Sequence, residues 1–446
     1  MVTAPTGALT DEAQGFLDAH PEVEAIDILL SDLHGIGRGK MIRRHELASL
    51  FRAGRGMPAS LFAQDVEGND VPAALDTQRD GGGDSLCWPV PGSLGRQPNG
   101  RGLVLLQMFD RQGGPVPHDP RGAMMAQIAR ARAAGYQPMG ALELEFYLLD
   151  EKGGMARAPL GGRRLSGTNC MSVDELDEMS PFFDAVYAAA ASFDLPLETL
   201  ISEYAPGQFE LTLRYRDLAR AADDIVLVRQ ILRSTARRFG MRTCFMAKPF
   251  GGRSGSGMHL HLSLTDPRGG ANLFADGPQG DLSPLMLNAI GGVRAAMADS
   301  MLVLGPTLNS WRRLSGAIYS PACNSWGLDD RNVALRIPGG DGAARHFEHR
   351  VAGVDANPYL VAACVLGSAL DGIEARADPG PASSTGGAPP LPRDWSQAVQ
   401  AFAGSASMRR ILGPGLHTAY AAIKQHEVAR LADHVTDIEW QLYGTL

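Results

Sequence analysis

Ala141-Leu-Glu-Leu-Glu-Phe-Tyr-Leu148 alternates without a break, so that Leu142, Leu144, Phe146 and Leu148 share one face of a strand and Glu143 and Glu145 the other. With a rise of about 3.3 Å per residue, two such carboxylates stand roughly 7 Å apart, far enough for each to serve a different cation. Three further stretches repeat the pattern. Gln208–Tyr215 puts Gln208, Glu210, Thr212 and Arg214 on one face, with Glu203 just upstream across a turn at Pro206-Gly207. Met258–Leu264 sets His259, His261 and Ser263 against Met258, Leu260, Leu262 and Leu264, and the segment around His346–Val351 presents His346, Glu348 and Arg350 together. Arg331 and Arg336 lie just before that last strand. Strands with one apolar and one ionisable face belong to a half-buried antiparallel sheet.

Taken singly, each feature has a plain explanation. A polar strand face meets solvent, and a lone histidine is a hydrogen-bonded structural residue. The run Gly251-Gly-Arg-Ser-Gly-Ser-Gly257 is a turn, since neither GxxxxGK[ST] nor a GxGxxG opening a helix occurs there. Taken together they converge. Five glutamates, a histidine and three arginines form a set that can hold hard divalent cations through oxygen and imidazole while clamping phosphate.

Working outward, residues 24–31 alternate like a strand, and Asp32-Leu-His-Gly-Ile-Gly-Arg-Gly-Lys40 supplies hairpin chemistry. From Asp70 to Arg101 Gly, Pro and Asp are dense and no helical period survives, until Gly102–Met108 reads as another strand. A small β-rich N-terminal domain is expected. Beyond Pro115–Pro120 strands and helices alternate: Arg121–Ala134 closed by Gly135, Leu218–Phe239 closed by Gly240, a helix opened by Ser283-Pro284, and the apolar helix Pro358–Ile373. Ala375–Pro392 reads as a loop.

The 446 residues carry 41 basic and 49 acidic side chains, a net charge of −8, with 44% hydrophobic residues. That balance argues against a dedicated nucleic-acid or anionic-membrane binder, which needs a basic face. The five cysteines, Cys87, Cys170, Cys244, Cys323 and Cys364, are scattered and form no CxxC pair, which points to a reducing compartment. Met1–His20 lacks the basic start and apolar core of an export signal. A soluble, cytoplasmic protein with small-molecule ligands is expected.

At these residues the chain resembles the glutamine synthetase family, and within it the type I branch with its γ-glutamyl-amine and γ-glutamylpolyamine ligases. The signposts are Asp32–Lys40, Glu143–Tyr147, Ser202–Glu210, Lys248–His261, Asn309–Leu314, Asp330–Pro338 and Glu348–Tyr359. The resemblance implies an α+β fold, with a β-grasp domain over residues 1–112 and a catalytic domain over 113–446 whose antiparallel strands line a funnel-shaped site. It implies ATP and two or more Mg²⁺ (or Mn²⁺) ions per subunit, one ion on Glu145, Glu203 and Glu210 and the other on Glu143, His259 and Glu348. His261, Ser263, Tyr215, Arg331 and Arg336 would serve ATP. Gly255, Arg313 and Arg350 would serve glutamate and, with Arg331, the transferring phosphoryl group. A dodecamer of two six-membered rings, each site completed by a neighbour's N-terminal domain, is implied as well.

Two departures bear on the acceptor. Where the family places a flap glutamate over the ammonium site, this chain has Ser315–Pro321 with Tyr319; where it places the aspartate of an Asp-Gly-Ser-Ser segment, this chain has Met57-Pro-Ala-Ser-Leu61. Ser254 and His346 also stand where the family has an asparagine and an arginine. The expected activity is therefore ATP-dependent joining of glutamate to a primary amine or polyamine through γ-glutamyl phosphate. Two alternatives stand beside it: a glutamine synthetase using ammonia, with Asp65 and Glu67 as nearby acids, and a non-catalytic relative. The second is disfavoured because clustered carboxylates without a cation repel. No tyrosine occurs in Ala375–Pro392, so the adenylylation seen in some type I enzymes is not expected.

Overall fold

The structure, a computed structural model, describes residues 10–75, 83–276, 281–315, 320–321, 323–382, 388–392 and 394–446. Tyr319 lies outside the described residues, as does part of the Ala375–Pro392 loop. Two principal sheets organise the chain.

The first contains β1 (Ala25–Ser31), β2 (Gly37–Arg43), β3 (Arg55–Pro58), β4 (Asp84–Pro89), β5 (Gly95–Arg96) and β6 (Gly102–Phe109), in the order β2-β1-β6-β4-β3 with β5 alongside β6. The hairpin expected at Asp32–Lys40 is there, β1 and β2 pairing antiparallel from Ala25↔Arg43 to Ser31↔Gly37. β1 and β6 run parallel, Ile26 facing Gly102. Strand β4 arises inside the Gly- and Pro-rich stretch in which no helical period survives, within the N-terminal domain expected to be β-rich. Its Cys87 and Trp88 are buried, and tertiary packing outweighs composition there.

The second sheet has nine strands and is built around one of them. β7 (Gln137–Asp150) is 14 residues long and changes partners along its length. It meets β8 (Leu197–Ser202) through β9 (Gln208–Leu213), and also contacts β10 (Arg216–Asp217), β11 (Met241–Cys244) and β12 (Leu260–Thr265). A two-stranded pair, β13 (Ala275–Asp276) and β14 (Asp281–Leu282), stands apart. The sheet ends with β15 (Trp326–Leu328), β16 (Leu335–Ile337) and β17 (Phe347–His349) in the order β15-β16-β17-β12-β7-β9-β8. All its pairings are antiparallel except β15 with β16. Leu142, Leu144, Phe146, Leu148, Phe209, Leu211, Leu260 and Leu262 are buried, as the alternation requires.

Helices cover that apolar face. Helix Leu218–Arg238 is capped by the Asp217 carboxylate, which accepts from the Ala219 amide, and is closed at Gly240, whose φ of 66° suits glycine. Pro358–Ala375 is long and apolar enough to span a bilayer, yet 78% of it is buried inside the fold, the mark of a core helix. It packs so closely on Pro284–Ala295 that a Cβ on Gly292 would come 2.2 Å from the Ser368 carbonyl oxygen.

The N-terminal sheet is fastened by its hairpin. Asp32 accepts from the His34 and Ile36 amides at 2.8 and 2.9 Å and pairs with Arg38 at 2.8 Å. Its carbonyl receives the Asn357 side chain at 2.8 Å, and Asn357 in turn caps Pro358–Ala375. His34 reaches Glu427 on helix Pro414–Ala432 at 2.6 Å. There Glu427 also accepts from the Val66 amide (3.1 Å) and from the wholly buried Lys424 (2.8 Å). Burial alone would raise the Glu427 carboxyl, but the Lys424 ammonium and His34 outweigh it and bring it down to about 2. Two signposts of the sequence, Asp32–Lys40 and the Asn357 segment, thus meet to fasten the N-terminal sheet to helix Pro358–Ala375.

Candidate active site

The ionisable faces of the second sheet come together as the alternation demands. Register places Glu145 opposite Glu210 across β7 and β9, His261 opposite Glu348 across β12 and β17, and Arg336 opposite Glu348 across β16 and β17. Met258 and His259 precede the β12 ladder, and the His259 carbonyl accepts from the Glu143 amide at 3.0 Å. Side chains from four strands therefore converge at the seam where β7 passes from β12 to its later partners.

Glu143, His259 and Glu348 each offer a ligand atom within 4.8 Å of the other two. His259 Nδ1 lies 3.0 Å from Glu143 Oε2 and 3.3 Å from Glu348 Oε1, and His261 Nε2 lies 2.9 Å from Glu143 Oε1. The Glu143 carboxyl resists burial because both imidazoles hydrogen-bond to it, and it sits well below the usual carboxylate range. His261 continues to His346 Nε2 at 3.0 Å, and His346 Nδ1 meets the Ala344 carbonyl at 2.6 Å. Two carboxylates and an imidazole converging this closely match the oxygen and nitrogen donors that hard divalent cations take.

The other acids gather less tightly. Glu145 accepts from the Gly257 amide at 2.8 Å, and Glu203 accepts from the Tyr204 amide at 3.0 Å. Burial raises the Glu145 carboxyl. Burial, with Glu143, Glu145 and Glu203 close by, pushes Glu210 up to about 10. Such crowding of carboxylates is what a second cation would relieve.

Around these groups stand the arginines. Arg336 Nη1 donates to Glu348 Oε2 at 3.0 Å, and Arg350 pairs with Glu348 Oε1. Arg313, 5% exposed, donates to the carbonyls of Val351 (2.8 Å) and Arg350 (3.3 Å). A Cβ on Gly257 would lie 2.6 Å from Arg313 Nη2 and 2.8 Å from His259 Nε2, and one on Gly255 would lie 2.7 Å from Arg313 Cγ. The glycine-rich run lets the backbone pass beside this guanidinium. Arg331 stands exposed on the turn before β16. Tyr215, 39% exposed, hydrogen-bonds through its hydroxyl to the buried Ser263.

Several organising residues escaped sequence reasoning. Asn309 grips the Lys248 backbone, accepting from its amide at 2.8 Å and donating to its carbonyl at 2.9 Å, which fixes the start of the glycine-rich loop. Asp355 ties Thr307 (2.8 Å) to Ser310 (2.7 Å) at the start of the helix that carries Arg313. Both fall inside quoted signposts, so the signal was present without its meaning. Trp311 is buried, its indole donating to the Gly305 carbonyl at 3.1 Å, and offers no free ring to a ligand. Asp65 and Glu67 also have partners. Asp65 is 1% exposed and accepts from the Glu67 and Asn69 amides at 3.0 and 2.9 Å. Arg430 reaches Asp65 at 3.3 Å and Glu67 at 2.5 Å.

Comparison with known proteins agrees with this geometry. Residues 117–443 match the family described as glutamine synthetase, catalytic domain. The chain is 36% identical to the gamma-glutamylputrescine synthetase of Escherichia coli (strain K12), covering 98% of this chain and 95% of that one. It is 30% identical to a glutamate–isopropylamine ligase of a Pseudomonas species, over 97% and 96% of the two. Among solved structures, one described as GmaS without ligand superposes with a TM-score of 0.85 at 28% identity, covering 98% of this chain and all of that one.

Proposed function

Given that the chain belongs to the glutamine synthetase family and is an ATP-dependent carbon–nitrogen ligase, we propose that it joins the γ-carboxylate of glutamate to a larger primary amine or polyamine. The observation that carries the acceptor half is the fate of the nearby acids. Met57–Leu61 contains no carboxylate, and Asp65 and Glu67 are occupied by Arg430. Ammonium is a small cation that needs carboxylates to collect and deprotonate it. An alkylamine depends less on such a cage, gaining about 0.8 kcal/mol for each CH₂ it buries. Relatives named for putrescine and isopropylamine ligation support the same reading.

In the mechanism we infer, Arg313 and Gly255 hold glutamate, and its γ-carboxylate oxygen attacks the terminal phosphorus of ATP. The bond to ADP breaks as the new P–O bond forms. Arg331, Arg336 and Arg350 neutralise the oxygens that gain charge, while His261, Ser263 and Tyr215 line the nucleotide. Glu143, His259 and Glu348 would hold one divalent ion and Glu145, Glu203 and Glu210 another. Bound there, such ions supply charge neutralisation and in-line alignment of the phosphates. The amine nitrogen then attacks the γ-carbonyl carbon, phosphate departs and the nitrogen sheds a proton, leaving a γ-glutamyl amide. His346 extends the polar line from Glu143 through His261 towards the nucleotide end.

We read residues 1–112 as a β-grasp domain and 113–446 as the catalytic domain. We further infer a closed homo-oligomer, a dodecamer of two hexameric rings, with residues 57–68 crossing between neighbours. Light scattering of the active enzyme tests this, and a monomer that turns over substrate refutes it. For the activity, phosphate release is followed with ATP, glutamate and a panel running from ammonium through alkylamines to diamines and polyamines. A higher kcat/KM for primary alkylamines or polyamines than for ammonium is expected. Tyr319→Glu should move the ratio back toward ammonium. Ammonium as the best acceptor of the unmodified enzyme overturns the proposal.

A further inference from the structure

Arg336 is held at both ends of its guanidinium. Nη1 meets Glu348 Oε2 at 3.0 Å, and Nη2 meets Asp329 Oδ1 at 2.6 Å. The two carboxylates differ in kind. Glu348 belongs to the donor trio with Glu143 and His259. Asp329 lies one residue beyond β15, is 68% exposed at its side chain, and belongs to no such group among the described residues.

The backbone at Asp329 is unusual. Its φ is +47°, one of four non-glycine residues with positive φ among those described. The left-handed region disfavours side chains with a Cβ, and aspartate tolerates it better than most without escaping the penalty. At this bend the Asp329 amide still belongs to the β15–β16 ladder, donating to the Ile337 carbonyl at 2.9 Å. Because β15 and β16 run parallel with Gly327 beside Arg336 and Leu328 beside Ile337, this turn sets the carboxylate within reach of the Arg336 side chain. Glycine would satisfy the backbone better. The acid kept in its place is the one that holds Arg336.

We propose that Asp329 is a positioning residue for nucleotide binding, aiming Arg336 at the phosphates and giving it a counter-charge that does not ligate a cation. This rests on the reading of Arg336 as a phosphate contact. Without Asp329, Arg336 keeps its ion pair with Glu348, and a bound cation draws on that same carboxylate. The guanidinium would then compete with the cation for Glu348 and drift from its place in the ladder. Asp329 itself touches no reacting atom.

The test uses the full-length enzyme with Asp329→Gly and Asp329→Asn. Both remove the negative charge and both accept the left-handed backbone, glycine more readily. Calorimetric titration with ADP and MgCl₂ should show about tenfold weaker binding in each, while the Asp329→Gly protein melts no lower than the unmodified one. In turnover, KM for ATP should rise by a similar factor and KM for glutamate stay within twofold. A purely structural role predicts the opposite: Asp329→Gly would be silent. ADP affinity within twofold of the unmodified enzyme in both variants overturns the proposal, as does an unmodified enzyme that binds no ADP. An unmodified enzyme that binds ADP but releases no phosphate with any amine refutes the activity reading instead, and the ADP comparison still decides the role of Asp329.

Discussion

Replacing Glu427 by glutamine should unfasten the N-terminal sheet from the helix that holds it. The carboxylate is 8% exposed and accepts from His34, the Val66 amide and Lys424, whose own side chain is fully buried. Holding a carboxyl at about 2 instead of its ordinary 4.5 corresponds to roughly 3 kcal/mol, at about 1.36 kcal/mol per tenfold. Leaving Lys424 buried without its partner gives a cost of the same order, about 3–5 kcal/mol. At about 2.1 cal/mol/K of unfolding entropy per residue, the 446 residues translate roughly 3 kcal/mol into a fall of about 3 °C in Tm. Because the Glu427 pKa is depressed, its contribution is complete above about 4.5 and fades as pH falls toward about 2. Differential scanning calorimetry at pH 7, 4.5 and 3 should therefore show Glu427→Gln melting below the unmodified protein at pH 7, with the gap narrowing in acid. Adding Lys424→Met should recover at least half of the loss, since it removes the buried ammonium that Glu427→Gln leaves unpaired. A Tm within 1 °C at pH 7, or a gap that does not shrink in acid, refutes the reasoning.

Other perturbations probe the site. Glu145→Ala and His259→Ala should each lower ATP-dependent phosphate release by a factor of about 10³ or more while far-UV circular dichroism stays unchanged, because the apolar strand face keeps its packing; full activity in either sinks the ligand assignment. Gly257→Ala puts a methyl where Arg313 and His259 already stand and should lower kcat by about tenfold or more with a Tm change under a few degrees, read by steady-state kinetics and thermal melting. Asn309→Ala frees the Lys248 backbone and should raise KM for glutamate more than KM for ATP, a split that initial-rate kinetics resolves.

What could be read from the chain follows from the range of the interactions. The faces of β7, β9, β12 and β17 are written in period-two alternation, so Glu143, Glu210, His261 and Glu348 could be assigned to one side before any strand was paired. Gly135 and Gly240 likewise announce helix ends, with φ of 84° and 66°. Strand β4 could not be read, because its Asp, Pro and Gly surroundings mask a segment that exists by pairing with β3 and β6. Nor could the role of Asp32 and His34, whose partners lie hundreds of residues away, or that of Asp329, which depends on β15 and β16 running parallel. Local pattern specifies which way a side chain faces, and only topology specifies what it meets.

The clasp between His34 and Glu427 spans 393 positions of the chain. On a ribosome adding about 5–20 residues per second, the hairpin of β1 and β2 emerges and then waits roughly 20–80 s before its anchoring helix has been made. During that interval the nascent N-terminal sheet must keep its own shape and remain shielded from premature association, with the surface that Glu427 and Arg430 will cover still open. The clasp therefore makes completion of the N-terminal sheet wait on a helix synthesised 393 residues later.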